Sequence, residues 1–233
     1  MKYDFVAGEV LLIDKPLDWT SFDVVNKIRY MIKRHLGIKK IKVGHAGTLD
    51  PLATGLVIVC TGKFTKKIDE YQGMVKEYTS GVRFGATTPT YDLESEPDAE
   101  FPYSHITREG LEDVLKKQFT GEIEQIPPAY SAIKIKGQKA YDLARKGEKV
   151  EIKPRKITIY DISITDFDLP DVTMDITCSK GTYIRSLAND VGMAMNSGAH
   201  LSALRRTRIG DFSVDDAVGM TELEEKLFGG KPA

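Results

Sequence analysis

The chain has 233 residues, of which 41% are hydrophobic and 29% are charged. This composition excludes a disordered or fibrous protein, and the length suits one large domain with a substantial core. The 33 basic and 34 acidic side chains leave a net charge of -1, which gives no hint of a nucleic-acid partner. A local field, however, depends on where the charges lie along the chain.

The cysteines and the apolar segments bear on the compartment. Cys60 and Cys178 are far apart in the sequence, and the four histidines are scattered. A disulfide framework or a metal site is therefore not expected, and a reducing cytoplasm is the simplest setting. The longest strongly apolar run, 56–60, is too short to cross a bilayer, and the N-terminus lacks a signal-peptide pattern. We expect a cytoplasmic protein without membrane association.

In chain order, the first predicted elements are a strand and an amphipathic helix. Val10–Ile13 reads as a buried strand that stops before Pro16. Thr20 and Asp23 have the spacing of a capping box, which predicts that a helix begins there. The predicted buried stripe of this helix is Phe22, Val25, Ile32 and Leu36, with Ile28 beside it.

The remaining elements alternate irregularly between strands and helices. The predicted strands are 56–60, 75–84, 133–135, 157–167, 172–179 and 208–214, and the predicted helices begin near 64, 111, 138, 184 and 221. Tyr78 lies on one face of the second of these strands, and 92–100 is an acidic loop. This order predicts an α+β fold with a mixed, mainly antiparallel sheet flanked by helices and loops.

Basic residues concentrate in three segments of the chain. They are 27–42, which contains no acid, 134–156, and the cluster of Arg205, Arg206 and Arg208. A single run of charges is commonly a solvated face. Three clusters separated by acidic segments favour an anionic partner that carries phosphates.

The glycine-rich loop 44–55 has the most unusual composition in the chain. Its Asp50 precedes a proline and is therefore biased toward extended backbone. A carboxylate on a rigid loop beside a buried strand can serve as a nucleophile or base. The alternative is a turn aspartate that bonds its own backbone. The spacing from Gly55 to Gly62 does not fit a phosphate-binding Walker loop.

Two further side chains suit a carboxylate that works near RNA. Arg185 can clamp a carboxylate through two parallel hydrogen bonds, although the spacing does not bring it to Asp50 and a surface role is the alternative. Tyr78 can stack on a base or belong to the core.

These residues stand in motifs that resemble the TruB-type pseudouridine synthases, which act on the uridine at position 55 in the T-loop of transfer RNA. The motifs are VLLIDKP with TS at 20–21, GHAGTLDPLATG at 44–55, KEY at 76–78, IPPAYSA at 126–132, CSKGTYIR at 178–185, GAH at 198–200 and LRR at 204–206. They follow the family order from about residue 8 to about residue 215. Asp18 stands where the family often has glycine.

The resemblance implies a role for each matching residue. Asp50 would be the catalytic aspartate, Arg185 the arginine paired with it, and Tyr78 the ring that stacks on the flipped base. His45 would support the flipped-out T-loop bases. Two more residues would line the active-site region, Lys15 and Tyr183.

The resemblance also implies the chemistry and the partner. The uridine must leave the stack before the carboxylate reaches its sugar. The carboxylate then attacks C1′ or removes the C2′ proton to give a glycal, and the sequence leaves both routes open. Neither a metal nor an organic cofactor is implied. The expected partner is the T-arm of transfer RNA, with no obligate protein partner and a monomeric enzyme.

The same resemblance divides the chain. Residues 1–215 would form the catalytic domain and 216–233 a short C-terminal helix and tail, without the PUA-type domain of many family members.

Two other functions are alternatives to the isomerase. An RNA-folding factor has no need of Asp50, Tyr78 and Arg185 together, and an aspartate-based hydrolase lacks a second carboxylate placed as its acid.

Overall fold

The structure is a computed structural model that describes residues 3–131, 133–135, 137–145 and 152–229. Its strands are, in chain order, β1 (Val10–Lys15), β2 (Val43–His45), β3 (Ala53–Thr61), β4 (Lys76–Phe84), β5 (Ala86–Thr87), β6 (Ala99–Glu100), β7 (Gly121–Gln125), β8 (Lys134–Ile135), β9 (Gln138–Lys139), β10 (Arg155–Asp168), β11 (Asp171–Cys178), β12 (Ala199–Ile209) and β13 (Phe212–Ser213).

Along the chain, the helices alternate irregularly with these strands. They are α1 (Ser21–Leu36), α2 (Ile68–Gly73), α3 (Arg108–Gln118), α4 (Ala140–Arg145), α5 (Ile184–Ala194) and α6 (Met220–Phe228), with 3-10 turns at Gly62–Lys67 and Val214–Asp216. The strand pairings are mixed and mainly antiparallel, which confirms the α+β prediction. No described helix is both long and apolar enough to span a membrane.

The chain forms two compact units. Unit 1 comprises residues 1–78 and 204–233, and unit 2 comprises residues 79–203. The chain therefore leaves unit 1 within β4 and returns to it within β12. Unit 2 is continuous in sequence, whereas unit 1 is built from both ends of the chain.

Strand β3 is the centre of unit 1, and it is buried along nearly its whole length. Strand β1 pairs antiparallel along one edge of β3, with Lys15 opposite Gly55. The start of β3 pairs in parallel with β12, where Arg206 is also opposite Gly55, and its end pairs with β2. Because β1 occupies one edge, β12 and β2 share the other. The loop 46–52 joins β2 to β3.

Helix α1 begins as the capping box predicts. The Thr20 hydroxyl accepts from the Asp23 N–H at 3.0 Å, and the Asp23 carboxylate accepts from the Thr20 N–H at 2.9 Å. The predicted stripe is only partly right, since Val25, Ile28 and Ile32 are buried whereas Phe22 and Leu36 are exposed. These two lie in the first and last turns, where the helix extends past its neighbours.

Unit 2 is a sheet with helices, in which β10 pairs antiparallel with both β11 and β7. Its strand order is β12-β4-β11-β10-β7. The buried face of β4 carries Ser80, Val82 and Phe84, as the alternation predicts. Helix α5 is buried along most of its length, so the predicted apolar face around Leu187 and Val191 is confirmed.

The C-terminal elements differ from the predicted ones. The strand predicted at 208–214 is wrong, because β12 runs from Ala199 to Ile209 and only a turn and β13 follow. Buried arginine in β12 interrupts the apolar alternation by which a strand is recognised. The last helix, predicted to begin near 221, begins at Met220. Gly219 is the N-cap and no side chain caps it, while Glu224 pairs with Lys27 at 3.1 Å.

Candidate active site

The Asp50 loop, residues 46–52, is fixed by backbone hydrogen bonds at both of its ends. The Ala46 N–H donates to the Ile58 carbonyl at 2.8 Å, and the Ala53 N–H donates to the Asp50 carbonyl at 3.1 Å. In between, the Leu49 N–H donates to the Ser21 hydroxyl at 2.9 Å. The half-buried Asp50 side chain therefore projects from a loop that is attached to both β3 and the start of α1.

Lys15 lies beneath this loop and is completely buried, with 0% of its surface exposed. Its ammonium donates to the carbonyls of Pro16 at 2.9 Å, Trp19 at 2.5 Å and Pro51 at 3.2 Å. Burial lowers the Lys15 pKa to about 8, although the Asp50 carboxylate opposes this shift. The Lys15 side chain thus supports the loop by binding a backbone carbonyl of the loop.

Arg206 is the second buried cation at the loop, with 1% of its surface exposed. Its Nε donates to the Leu56 carbonyl at 2.7 Å and an Nη donates to the Gly47 carbonyl at 3.1 Å. Its main chain lies so close to Gly55 that a β-carbon there would be 2.3 Å from the Arg206 carbonyl oxygen. Gly55 also has a φ of +102°, so glycine is required at this position.

The backbone conformation of Asp18 explains why aspartate can stand where the family often has glycine. Its φ is +63°, in the left-handed region where glycine is favoured and where aspartate is among the better-tolerated replacements. Its N–H donates to the Pro51 carbonyl at 3.0 Å, so this turn also holds the Asp50 loop.

His45 ends β2 just before the loop. Burial and the positive charge of Arg206 lower the pKa of His45, with the Gly47 backbone opposing in part, so the ring is neutral at pH 7. Its buried Nδ1 makes no hydrogen bond to any described residue. A neutral imidazole can donate a hydrogen bond from one ring nitrogen and accept one at the other.

Arg185 lies in unit 2, in the first turn of α5, and has a partner that the sequence did not indicate. Its Nε lies 3.5 Å from a carboxylate oxygen of Asp92, and each side chain is only 5% exposed. Its two Nη atoms donate to the carbonyls of Thr90 at 3.0 Å and Tyr130 at 2.9 Å. The sequence places Asp92 in the acidic loop 92–100. Its burial depends on tertiary contacts with α5, which local sequence does not reveal.

Tyr183 is the N-cap of α5 and is held by a second residue that the sequence analysis missed. The Tyr183 N–H donates to the Gln125 side chain at 2.8 Å, and the Gln125 amide donates to the Tyr183 carbonyl at 3.0 Å. Gln125 is buried at the end of β7. An amide that both donates and accepts can satisfy both backbone groups of one residue.

Tyr78 lies on β4 with its side chain on the buried face, and 8% of its surface is exposed. This burial is compatible with both interpretations of Tyr78, a ring that stacks on a base and a core residue.

The other predicted site residues fall into two groups. Lys15, His45 and Asp50 come together within unit 1, while Arg185 and Tyr183 come together within unit 2. The pairing of Asp50 with Arg185 stays a prediction.

The three basic clusters differ in how far the structure describes them and in whether their side chains have partners. The arginines of the third cluster all have partners within the chain. Arg206 is buried, Arg205 forms a bidentate pair with Asp14 at 2.8 and 3.0 Å, and Arg208 lies 3.7 Å from Glu77. Most of the cluster 134–156 falls on side chains outside the described residues.

The first cluster leaves exposed lysines, and the structure adds others that the sequence analysis did not connect with them. We name this set the lysine patch: Lys39, Lys40, Lys42, Lys63, Lys66 and Lys67. The two segments adjoin, since the Gly62 N–H donates to the Lys42 carbonyl at 2.9 Å. Within the described parts of the chain these six lysines form no ion pair. Only strand β2, about 10 Å long, separates Lys42 from the Asp50 loop.

Comparison with known proteins places this site in a family. Residues 33–184 match the model of the TruB family pseudouridylate synthase N-terminal domain, and residues 185–230 match that of the tRNA pseudouridylate synthase B C-terminal domain. The tRNA pseudouridine synthase B of Phocaeicola vulgatus is 58% identical over 96% of this chain and 95% of its own length. That of Flavobacterium johnsoniae is 56% identical over 96% of this chain and 98% of its own length.

Solved structures give the same fold. The pseudouridine synthase fold expected from the motifs is confirmed by a crystal structure of a Cbf5-Nop10-Gar1 complex, with a TM-score of 0.71 and 30% identity. The match covers 95% of this chain and 54% of that chain, so this chain spans about half the length of the larger protein. With an aspartate loop, two family models and close relatives in agreement, the chain belongs to the TruB family of pseudouridylate synthases, which are isomerases.

Proposed function

We propose that this enzyme converts the T-loop uridine at position 55 of transfer RNA into pseudouridine, with Asp50 as the catalytic group. The observation that carries the proposal is the Asp50 loop, in which a half-buried carboxylate projects from a segment supported by two buried cations. Relatives that match nearly their whole length carry the name tRNA pseudouridine synthase B.

The chemistry assigns a task to each group. The uridine leaves its stack, and the Tyr78 ring and the neutral His45 replace part of the interactions that it loses. Asp50 then either attacks C1′ and displaces N1, or removes the C2′ proton so that the C1′–N1 bond breaks and leaves a glycal. The detached base turns and C5 joins C1′ as the carboxylate leaves C1′ or C2′ regains its proton, and the proton on C5 is lost to solvent. Either route needs an ionised carboxylate. A rigid loop holds the carboxylate where the sugar arrives.

The test follows the proton that leaves C5. Purified enzyme is incubated with an unmodified transfer RNA transcript whose uridines carry tritium at C5, and released tritium is counted. We expect release from the normal transcript and none from a transcript with cytidine at position 55. Isolated T-arm hairpins should also react, because the proposal requires only that arm. Absence of release from the normal transcript would overturn the proposed function.

The lysine patch is expected to bind the phosphate backbone of the RNA. Replacing Lys42 and Lys66 by glutamate should weaken RNA binding and flatten its dependence on salt, since fewer counterions are released. A filter-binding titration at several salt concentrations measures both quantities. The matched control is a pair of glutamates at Lys116 and Lys117, on the exposed face of α3 in unit 2. Equal losses in the two variants would argue against the patch.

Lys15 is expected to set an alkaline limit on turnover. Its pKa is about 8, and the neutral amine that forms above this value has only two N–H groups for three carbonyls. The groups that act on it are the carboxylates of Asp50, Asp18 and Asp23, which favour the charged form, and Arg206, which opposes it. Full activity should therefore be present below the pKa and fall as the pH rises through about 8. A Lys15→Arg enzyme, which keeps its charge, should lack this decline between pH 7 and 9.

The proposal includes the wider setting of the enzyme. A transfer RNA substrate is made in the cytoplasm, where we place the enzyme. Residues 1–215 would act as the catalytic domain, with 216–233 as a short tail. We propose a monomer without an obligate protein partner, and sedimentation should then give the mass of a single chain with and without RNA.

A further inference from the structure

Arg206 occupies a gap in the hydrogen-bond ladder of unit 1. The shared edge of β3 pairs with β12 at Ala53–Gly55 and with β2 at Val59–Thr61. Between these stretches the Ala46 N–H donates to the Ile58 carbonyl. The Leu56 carbonyl is left to Arg206 Nε, at 2.7 Å. A buried carbonyl needs such a partner, and here a side chain supplies it.

The same guanidinium reaches the catalytic loop. Its Nη donates to the carbonyl of Gly47, three residues before Asp50, at 3.1 Å. One rigid fork therefore ties the entrance of the loop to the strand that leaves it. Lys15 and Arg206 both lie opposite Gly55, from β1 and β12, and the absence of a β-carbon at Gly55 lets the main chain of Arg206 approach β3 closely.

The burial of Arg206 needs an explanation beyond packing. A buried cation is costly unless it is compensated, and Arg206 forms no ion pair with a described residue. Its hydrogen bonds to the Gly47 carbonyl of the Asp50 loop and to the Leu56 carbonyl of β3 compensate part of this cost.

We propose that Arg206 is a positioning residue of the isomerisation, which holds the Asp50 loop through the Gly47 and Leu56 carbonyls without touching RNA. This inference rests on the proposed function of Asp50. It separates Arg206 from its neighbour Arg205, whose guanidinium is half-exposed and paired with Asp14.

The test compares Arg206→Lys with Arg205→Lys. The lysine at 206 keeps the charge but replaces two nitrogens in a rigid fork by one nitrogen on a flexible stem, so we expect it to hold the Leu56 and Gly47 carbonyls less firmly. At saturating transfer RNA we expect its single-turnover rate to fall about tenfold or more, because the carboxylate is misplaced. The Kd for RNA should stay that of the wild type. Arg205→Lys should match the wild type in both measurements.

Hydrogen exchange provides a readout that does not depend on activity. In Arg206→Lys the amides of Ala46 and Ala53 should exchange faster, while the ladder between β10 and β11 in unit 2 keeps its wild-type protection. Arg206→Gln serves as a second variant if the lysine enzyme fails to fold. Wild-type rates in the 206 variants, or faster exchange throughout the chain, would overturn the inference. Inactive wild-type enzyme would instead overturn the proposed function, and the exchange pattern would still decide whether Arg206 holds the loop.

Discussion

Replacing Asp50 by asparagine is expected to lower the single-turnover rate by at least about a thousandfold, which corresponds to about 4 kcal/mol of transition-state stabilisation. The amide has nearly the same shape as the carboxylate, but it can neither attack C1′ nor accept the C2′ proton. RNA binding should persist, because the lysine patch and the loop backbone are unchanged. Tritium release and filter binding on the same preparation measure the two quantities.

Asp18→Asn is the matched control for this experiment. Asp18 is another carboxylate that acts on Lys15, and asparagine tolerates its φ of +63° equally well. The control removes one negative charge beside the loop and leaves the proposed catalyst in place, so its rate should stay close to that of the wild type. Asp50→Asn enzyme that releases tritium at the wild-type rate would contradict the role given to Asp50.

Replacing Asp92 by asparagine is expected to have the largest effect on stability. The change leaves the Arg185 guanidinium buried without this carboxylate, and breaking a buried pair costs about 3–5 kcal/mol. For a chain of this size each kcal/mol shifts the Tm by about 2–4 °C, so we expect a decrease of about 10 °C. Thermal unfolding followed by circular dichroism measures the decrease.

A surface ion pair provides the comparison. Asp113 lies 2.6 Å from Lys117 on α3, but the side chains are 55% and 69% exposed, so Asp113→Asn should cost well under about 1 kcal/mol. A double variant, Asp92→Leu with Arg185→Met, should recover part of the stability and none of the activity. Equal melting temperatures for Asp92→Asn and Asp113→Asn would show that burial does not strengthen the pair.

The contrast between Thr20 and Arg206 shows what sequence can predict for this fold. The capping box of α1 is complete within four residues, and the alternation along β4 needs only one strand, so both follow from local pattern. Arg206 looks like one more member of a basic cluster. Its burial depends on the pairing of β12 with β3, whose Leu56 lies 150 positions away, and its bond to Gly47 spans 159 positions.

The candidate site divides in the same way. Asp50 and His45 can be picked out because their loop has an unusual composition and a family motif. Asp92 and Gln125 could not, because each acts on α5 from another element and neither stands in a distinctive pattern. Polar residues that become buried only through tertiary contacts look like surface residues in a sequence.

The arrangement of unit 1 has a consequence for synthesis on the ribosome. Because unit 1 combines residues 1–78 with residues 204–233, its first part emerges long before the strand that completes it. Unit 2 is finished earlier as one continuous stretch of chain. The aspartate loop is among the first segments to leave the ribosome, yet it obtains its guanidinium support only when Arg206 has been made. A nascent chain that stops before β12 is complete therefore carries Asp50 without the support on which we expect its reactivity to depend.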